Sequence, residues 1–191
     1  MIEHKLKKAF ANYFDAPIEV WKHFADLCEM VDYKKNQIIK EANKVDRYGY
    51  FILEGSVGLF VRKQNSQACI DLFLENSFFA DDISLFTGIV SPIEVVALEN
   101  TSVLRISKSD IDILKNTPMG SMLFLIGNEN AYAKKQILQI ASMTKTAEER
   151  YADVLNKQPE LLQRIPQKHI ASYLGITTQS LSRIRNKFSG N

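Results

Sequence analysis

The sequence predicts an α+β fold in which an antiparallel β-roll with flanking helices is followed by a long helix and two short C-terminal helices. First, short segments rich in β-branched and aromatic residues, separated by polar turns, fill residues 33–107. Second, an apolar heptad repeat runs over residues 119–144. Third, Ala171, Gly175 and Leu181 have the spacing of two short helices that cross at a tight turn.

The composition is that of a soluble globular protein. The chain has 191 residues, of which 46% are hydrophobic and 24% charged, enough for one large domain or two small ones. It contains no run of 18 apolar residues, and its first ten residues, MIEHKLKKAF, lack a signal-type apolar stretch. We therefore expect no membrane span and a cytoplasmic location.

The first 30 residues are expected to be helical and to flank the roll. Pro17 separates two apolar groups at helical spacing. These groups are Phe10, Tyr13 and Phe14, and then Trp21, Phe24, Leu27 and Cys28. The two cysteines, Cys28 and Cys69, are far apart and predict neither a disulfide framework nor a metal site.

The roll is predicted from the segments QIIKE, GYFILEGSVGLFVRK, QACIDLFLE, IEVVALEN and TSVLRIS. Short strands at this spacing are typical of an antiparallel barrel or roll, of the double-stranded β-helix kind. Within FILEGSVGLFV, the pair Glu54-Gly55 lies between two apolar halves, which predicts a β-hairpin that bends there.

The long helix is predicted to begin after Thr117 as N-cap, with Pro118 in its first position, and to reach Thr144. Its apolar positions recur at alternating steps of four and three residues, and about 27 residues would extend about 40 Å. We interpret it as a dimerisation helix in which Asn130 sets the register; the alternative is a helix packed only against its own roll. The predicted seam consists of Met119, Leu123, Ile126, Asn130, Ala133, Ile137 and Ile140.

The C-terminal segment IPQKHIASYLGITTQSLSRIRNK has the spacing of a helix-turn-helix. Gly175 supplies a left-handed turn, and Thr177 can cap the second helix. Leu181, Ile184 and Phe188 are expected to face inward. A plain helical hairpin, without a role in DNA binding, is the alternative.

The outward residues of this motif suit DNA recognition. Glutamine pairs with adenine and arginine with guanine in the major groove, whereas small hydroxyls and cations suit bases or phosphates. The base-contact candidates are Thr178, Gln179, Ser182 and Arg183, and the phosphate-contact candidates are Lys168, His169, Thr177, Arg185 and Lys187. The alternative for each is a solvated side chain.

Charge is distributed unevenly along the chain. The last 31 residues carry five basic residues and no Asp or Glu, whereas the other 160 carry 19 basic and 22 acidic residues. A slightly acidic body with a basic end is the electrostatic pattern expected for contact with nucleic acid.

Three segments together resemble the CRP/FNR family of bacterial transcription regulators, over nearly the whole chain. GYFILEGSVGLFV is similar to the family's roll hairpin, VVALENTSVLRIS to its last roll strands, and HIASYLGITTQSLSRIR to its DNA-binding motif. The resemblance implies a cyclic-nucleotide-binding-like sensor over residues 1–116, a dimerisation helix over 117–145 and a DNA-binding domain over 146–191. It further implies a homodimer on near-palindromic double-stranded DNA, with Thr178, Gln179 and Arg183 reading bases and RNA polymerase as a further candidate partner.

In family members that bind cyclic nucleotides, a Gly-Glu pair and a later Arg followed by Ser or Thr hold the ligand. The matching stretch here, FFADDISLFTGIVSPIEVVAL, has Asp81-Asp82 and Pro92-Ile93 at those positions, so the phosphate clamp is missing. The candidate pocket residues are Phe79, Asp81, Asp82, Ile83, Pro92 and Ile93. We expect cyclic AMP to bind weakly or not at all, leaving an apolar or uncharged ligand, a protein signal or no ligand; a true cyclic-nucleotide response is the alternative.

Other chemistries lack the residues that they need. Two cysteines are too few for an iron–sulfur cluster, and no histidine lies in the predicted roll to hold a catalytic metal, since the chain has only His4, His23 and His169. We expect no enzyme activity, no catalytic or metal-binding residues and no resident cofactor. A regulatory protein that acts through protein partners is the remaining alternative, which a DNA shift assay would distinguish.

Many family members continue past the recognition helix into a β-hairpin wing, whereas this sequence ends at Asn191. From the resemblance we expect fewer contacts to the DNA backbone and a lower affinity. The salt dependence of DNA binding would measure that difference.

Overall fold

The computed structural model describes residues 2–64 and 66–189, except for the side chain of Ser189. These residues form nine helices and eight strands. The helices are α1 (Ile2–Phe10), α2 (Ile18–Asp26), α3 (Asp82–Thr87), α4 (Lys108–Lys115), α5 (Pro118–Thr144), α6 (Ala147–Lys157), α7 (Pro159–Arg164), α8 (Gln167–Tyr173) and α9 (Thr178–Ser189). The strands are β1 (Cys28–Tyr33), β2 (Ile38–Lys40), β3 (Tyr48–Glu54), β4 (Val57–Lys63), β5 (Ser66–Phe73), β6 (Phe78–Phe79), β7 (Ile93–Ala97) and β8 (Thr101–Ser107).

The strands form an antiparallel roll of two four-stranded sheets, which confirms the predicted fold class. The strand order is β1-β8-β3-β6 in one sheet and β2-β7-β4-β5 in the other. Aliphatic and aromatic side chains from both sheets fill the space between them, and Ile52, Val57, Val95 and Val103 are completely buried. Burial of such side chains is the main stabilising contribution of the roll.

The predicted hairpin at Glu54-Gly55 is wrong, because β3 and β4 belong to different sheets. The chain turns a corner at Gly55, which has a φ of 93° and lies so close to the backbone of Thr101 that a side chain would clash. Ser56 then accepts a hydrogen bond from the amide of Leu98. The apolar pattern is the same for a hairpin and for a corner, so only the pairing partners distinguish them.

The two N-terminal helices pack on the outside of the roll, as predicted. Helix α2 ends at Asp26, however, which is earlier than the predicted helical region of 30 residues. Cys28 begins β1 and pairs with Ile106 of β8 instead of continuing α2. Leu6 of α1 and Trp21 of α2 are completely buried in one core cluster with Phe51 of β3. The helices therefore cover an apolar face of the roll and complete its core.

The long helix has the predicted bounds and the predicted cap. Its N-cap, Thr117, accepts a hydrogen bond from the amide of Gly120 through the side-chain oxygen, at 3.1 Å. Gly120 is needed there because a Cβ atom would lie 2.0 Å from the carbonyl oxygen of Leu114 in α4. The sharp turn between α4 and α5 sends the long helix back across the roll.

The two C-terminal helices also follow the prediction. Gly175, between α8 and α9, has a φ of 67°, and Thr177 caps α9 by accepting a hydrogen bond from the amide of Ser180. Leu181 and Ile184 are buried as expected. Phe188 is an exception, since it is 41% exposed and lies beside the ring of Tyr151 in α6. It comes at the end of α9, beyond the part of that helix that α8 covers.

The helix-turn-helix lies directly against the roll. The aromatic ring of Phe60 in β4 and the side chain of Leu72 in β5 share one buried cluster with Leu161, Ile170 and Leu181. At the edge of β5, the Ser172 hydroxyl accepts a hydrogen bond from the amide of Cys69 at 2.9 Å and donates one to the carbonyl of Gln67 at 3.2 Å. Strand β5 is therefore a direct structural connection between the two parts of the chain.

Arg164 at the end of α7 strengthens this connection through two carboxylates of the roll. Its guanidinium donates two hydrogen bonds of 2.7 Å to Glu75 and one of 2.7 Å to Glu99. Hydrogen bonding to Arg164 lowers the pKa of Glu75 from its ordinary 4.5 to about 2. The Glu75 carboxylate thus stays ionised in the folded state well below the pH at which it would be protonated in the unfolded chain.

We predict that this contact makes stability depend on pH. Because the folded-state pKa of Glu75 is depressed, its contribution is complete above about pH 5 and is lost as the pH falls from about 4.5 towards 2. Replacing Glu75 by Gln should lower the free energy of unfolding at pH 7 by about 1–2 kcal/mol, allowing for solvent screening, and by less at pH 3. Urea unfolding at the two pH values measures this difference.

The matched control is Glu160→Gln, because Glu160 is exposed on the neighbouring helix α7. It should change the free energy of unfolding little at either pH. If Glu75→Gln and Glu160→Gln respond to pH in the same way, the Arg164 contact does not stabilise the docked arrangement.

Candidate functional site

The outward face of α9 is open to solvent. Thr178, Gln179, Ser182, Arg183 and Asn186 are all exposed. They share this face because Leu181 and Ile184 occupy the opposite side of the helix and pack into the core. The structure therefore brings the four predicted base-contact residues together on one accessible surface.

The predicted phosphate-contact residues lie in more varied surroundings. Lys168, Thr177 and Lys187 are exposed, and Lys187 forms an ion pair with Glu148. Arg185 is half-buried. These four side chains border the outward face of α9 or the start of α8.

His169 has a different environment from its neighbour Lys168. It is half-buried, and its ring centroid lies 4.8 Å from that of Phe60 in the roll. Burial, followed by the charge of Lys168, lowers the pKa of His169, so its imidazole is mainly neutral at pH 7. His169 therefore contacts the roll through its ring.

Two arginines near the motif have roles that the sequence did not indicate. Arg164, one of the five basic residues counted at the C-terminal end, binds Glu75 and Glu99 of the roll. Arg150 donates hydrogen bonds to the carbonyl of Lys145, which ends α5, at 2.6 Å and to the carbonyl of Leu174 at 2.8 Å. Arg150 thus joins the end of the long helix to the turn of the helix-turn-helix. The contacts of Arg164 with the roll and of Arg150 with Leu174 join residues that are 24 or more positions apart, so no local sequence signal points to them.

The stretch that corresponds to the cyclic-nucleotide site contains a buried ion pair. The Asp81 carboxylate is completely buried, caps α3 by accepting from the amide of Ser84, and lies 2.6 Å from the ammonium of Lys40. Lys40 also donates to the carbonyl of Ile93 at 2.7 Å and lies 3.4 Å from the hydroxyl of Ser91. Burial would raise the pKa of Asp81, but hydrogen bonds from Lys40, Ser91 and Ser84 hold it below its ordinary value. The carboxylate of the chain itself therefore occupies the start of α3.

Between the roll and α5 lies a cavity of about 800 Å³. Of the predicted pocket residues, Phe79, Asp82, Ile83 and Ile93 line it, whereas Asp81 is buried with Lys40 and Pro92 is exposed. Aromatic side chains form much of its wall, namely Phe10, Phe24, Phe51, Phe73, Phe78 and Phe79. The cavity is in the size range of small-molecule sites.

Helix α5 supplies the cations that the roll sequence lacks. Lys135 forms an ion pair with Asp82 across a separation of 53 residues. The ammonium of Lys134 lies 5.3 Å from the ring centroid of Phe73, and both lysines line the cavity. Both lysines lie more than 50 residues along the chain from Asp82, so no local pattern in the sequence indicates them.

The face of α5 that points away from the roll is strongly apolar and exposed. Four predicted seam residues, Met119, Ala133, Ile137 and Ile140, are exposed there, and Ile126 is half-buried. Other large apolar side chains extend this surface, which we call the α5 stripe: Met122, Leu125, Tyr132 and Met143.

Two predicted seam residues point towards the chain's own roll instead. Leu123 is 4% exposed and belongs to the core cluster beneath α1 and α2. Asn130 lines the cavity and donates a hydrogen bond to the carbonyl of Ile126. Residues at heptad spacing can lie on either of two neighbouring faces of the helix. Only the packing of α5 on the roll shows which of these residues face inward and which face outward.

Within residues 2–64 and 66–189, no three or more His, Cys, Asp or Glu side chains are grouped so that they could hold a metal ion. No helix in this part of the chain is long and apolar enough to cross a membrane.

Comparison with known proteins agrees with this architecture. Residues 30–117 match the family model described as cyclic nucleotide-binding domain. The structure of FixK2 from Bradyrhizobium japonicum superposes with a TM-score of 0.73, at 18% identity, covering 85% of each chain. The chain has the fold of the CRP/FNR regulators.

Two further regulators of this fold are similar over most of their length. The c-di-GMP responsive global regulator CLP from Xanthomonas campestris has a TM-score of 0.68 at 14% identity, covering 91% of this chain and 92% of that one. The catabolite activator protein of Thermus thermophilus has a TM-score of 0.54 at 18% identity, covering 95% and 86%. At such identities the likeness concerns the fold alone. No curated protein matches this chain in sequence.

Proposed function

We propose that this protein is a homodimeric, sequence-specific DNA-binding transcription regulator of the CRP/FNR type. The observation that carries the proposal is the outward face of α9, where Gln179 and Arg183 are exposed beside Thr178 and Ser182. From residue 161 to the end the chain has no Asp or Glu that would repel phosphates. A recognition helix of this kind places such side chains against base edges in the major groove.

Dimerisation through the α5 stripe is part of this proposal. An exposed apolar surface that follows a helix for about 40 Å is unfavourable in water, and a second copy of the same helix would cover it. Two recognition helices would then reach successive major grooves about 34 Å apart and read a near-palindromic operator. The division into a sensor (1–116), a dimerisation helix (117–145) and a DNA-binding domain (146–191) belongs to the same proposal, with RNA polymerase as a partner at the promoter. Met1, Asn65, Gly190 and Asn191 lie outside the described residues.

The route from sensor to DNA is short. Strand β5 contributes Ile70, Asp71 and Phe73 to the cavity and also holds Ser172 of α8 at its edge. At the far end of the long helix, Arg150 ties Lys145 to the turn before α9. A ligand that moves α5 or β5 would therefore move the helix-turn-helix as well, and it would favour whichever arrangement binds it more tightly.

A response to a cyclic nucleotide is the second candidate, favoured by the family match over residues 30–117. The ion pair of Asp81 with Lys40 opposes it, because a buried carboxylate occupies the start of α3 and binds the nearby ammonium, while Lys135 is likewise paired with Asp82. Calorimetric titration with cyclic AMP and cyclic GMP distinguishes the candidates: micromolar binding would support the second one.

The proposal is tested by selecting binding sites from random double-stranded DNA with the full-length protein. The expected result is a near-palindrome with half-site centres about 10 base pairs apart, retarded as a dimer in a shift assay. Recovery of no preferred sequence over a range of salt concentrations would overturn the proposal and leave a regulator that acts through protein partners.

Arg183 provides the most specific test of the recognition surface. Replacing Arg183 by Ala should remove discrimination at one base pair in each half-site, at a cost of about 1–3 kcal/mol per contact. Competition binding with operators substituted at single positions measures it. In the control Lys168→Ala, affinity should fall equally for all sequences, and the salt slope should become shallower by about 1 per subunit. An Arg183→Ala protein with unchanged sequence preference would exclude Arg183 from base reading.

A further inference from the structure

The cavity between the roll and α5 has an apolar end and a charged end. Gly127 of α5 faces the ring of Phe10, since a Cβ atom on that glycine would lie 3.4 Å from it. Phe78 packs edge-on against Phe10, with ring centroids 5.1 Å apart. This end therefore offers mainly aromatic surface, which favours an apolar group of a ligand.

The charged end lies two helical turns further along α5. Lys134 is seven residues beyond Gly127, which corresponds to about 10 Å along a helix. Its neighbours are Lys135, Asp82 and Asp71, all on the cavity wall. A molecule that fills the cavity would thus have its body among aromatic rings and one end among charges.

The pairing of these charges indicates the sign that a ligand would carry. Lys135 is paired with Asp82. Among the described residues no carboxylate oxygen lies within 4 Å of the Lys134 ammonium, whose close contact is the ring of Phe73. Lys134 is consequently the cation in this cluster that can bind an added anion without first losing an ion-pair partner.

Asp71 also lines the charged end of the cavity, so its carboxyl group would be close to the bound head of a ligand. Burial raises the pKa of Asp71, although the charges of Lys134 and Lys135 oppose that rise in part. In its protonated form, a carboxyl group at this position can donate a hydrogen bond to a bound anion.

A phosphate-bearing ligand fits these groups less well. Phosphate recognition in proteins relies on clustered donors such as a bidentate arginine, and no arginine lines this cavity among the described residues. Lys40 is buried nearby, but it is already bound to Asp81. The cavity therefore offers one ammonium group that has no ion-pair partner within 4 Å among the described residues, and a long aromatic wall.

We propose that the cavity binds an amphipathic organic monocarboxylate, with its carboxylate on Lys134 and its apolar body towards Phe10 and Gly127. The inference rests on the proposed function in one respect, because such a ligand would be the effector of the proposed regulator. Binding of the ligand itself requires no DNA. Because Asp71 belongs to β5, the ligand head would lie beside the strand that holds α8. Tyr173 of α8 is close to Asp71, whose charge, after burial, helps to raise the pKa of Tyr173.

Calorimetric titration of the full-length protein with decanoate and 1-decanol, without DNA, tests the proposal. Decanoate should bind at least about tenfold more tightly than decanol, because a charge-assisted hydrogen bond is lost with the alcohol. Lys134→Gln should reduce decanoate binding to the level of decanol. The control Lys157→Gln, which removes an exposed lysine from α6 outside the cavity, should bind decanoate like the unmodified protein.

A second variant tests the apolar end. Gly127→Leu should weaken decanoate and decanol equally, since the new side chain would project towards Phe10, and circular dichroism should show that the fold is retained. Equal binding of decanoate and decanol, insensitivity to Lys134→Gln, no binding of either compound, or displacement of decanoate by equimolar cyclic AMP would each overturn the proposal. Because operator selection is measured separately, a protein that selects DNA but binds no carboxylate would overturn this inference alone.

Discussion

Replacing Ile137 by Asp should convert the protein from a dimer to a monomer. Ile137 is 60% exposed on the α5 stripe, so most of its side chain faces solvent in a single chain. In a dimer the two new carboxylates would be buried opposite each other, at a cost of at least about 2 kcal/mol per subunit. The dimer dissociation constant should therefore rise about 1000-fold. Sedimentation equilibrium measures the change, and operator affinity should fall with it, since each monomer can hold only one half-site.

The matched control is Ser142→Asp on the same helix. Ser142 is exposed, and the helical periodicity places it on the side opposite Ile140. It adds the same charge outside the α5 stripe, so the control protein should remain dimeric. If Ile137→Asp sediments as a dimer of undiminished stability, the stripe is not the subunit contact, and the long helix serves only its own roll.

Replacing Lys40 by Met should cause the largest loss of stability among the substitutions considered. Asp81 would remain completely buried without the ammonium that neutralises it, which typically costs about 3–5 kcal/mol. Urea unfolding at pH 7 measures the loss. The double variant Lys40→Met, Asp81→Asn should be more stable than Lys40→Met, because the neutral Asn side chain can still cap Ser84.

The pH dependence gives this prediction a second readout. With Lys40 present, the pKa of Asp81 is lowered, so its stabilising contribution is lost as the solution becomes acidic. In Lys40→Met, burial is no longer opposed by Lys40, so the pKa of Asp81 rises and protonation stabilises the variant. The difference between the two proteins should therefore shrink as the pH falls. The control Lys44→Met, at an exposed site in the same stretch, should unfold like the unmodified protein at each pH.

These two experiments concern the outer face of α5 and an ion pair inside the chain. The Ile137 experiment asks whether the outer side joins two copies, whereas the Lys40 experiment asks whether α3 and its neighbours are held by a charge inside the chain. Under the proposed function both would affect regulation, because the cavity lies between α3 and α5, and α5 leads through Lys145 and Arg150 to the turn before α9.

The sequence by itself determined the elements whose signals are local. The cap at Thr117 with Pro118, the left-handed Gly175 and the burial of Leu181 and Ile184 all depend on residues within one or two turns of each other. Helix bounds and the exposed face of α9 follow from such signals, because helix capping and periodicity act over a few residues.

Only the tertiary structure decided which segments lie side by side. It placed β3 and β4 in different sheets, turned Leu123 and Asn130 towards the roll, and paired Lys40 with Asp81 and Lys135 with Asp82 across 41 and 53 residues. An apolar or charged residue shows in the sequence that it needs a partner, but the identity of that partner depends on how distant segments pack. The charged groups of the cavity and the contact of Arg164 with the roll were likewise decided by the tertiary structure. Each brings together residues that are far apart in the sequence.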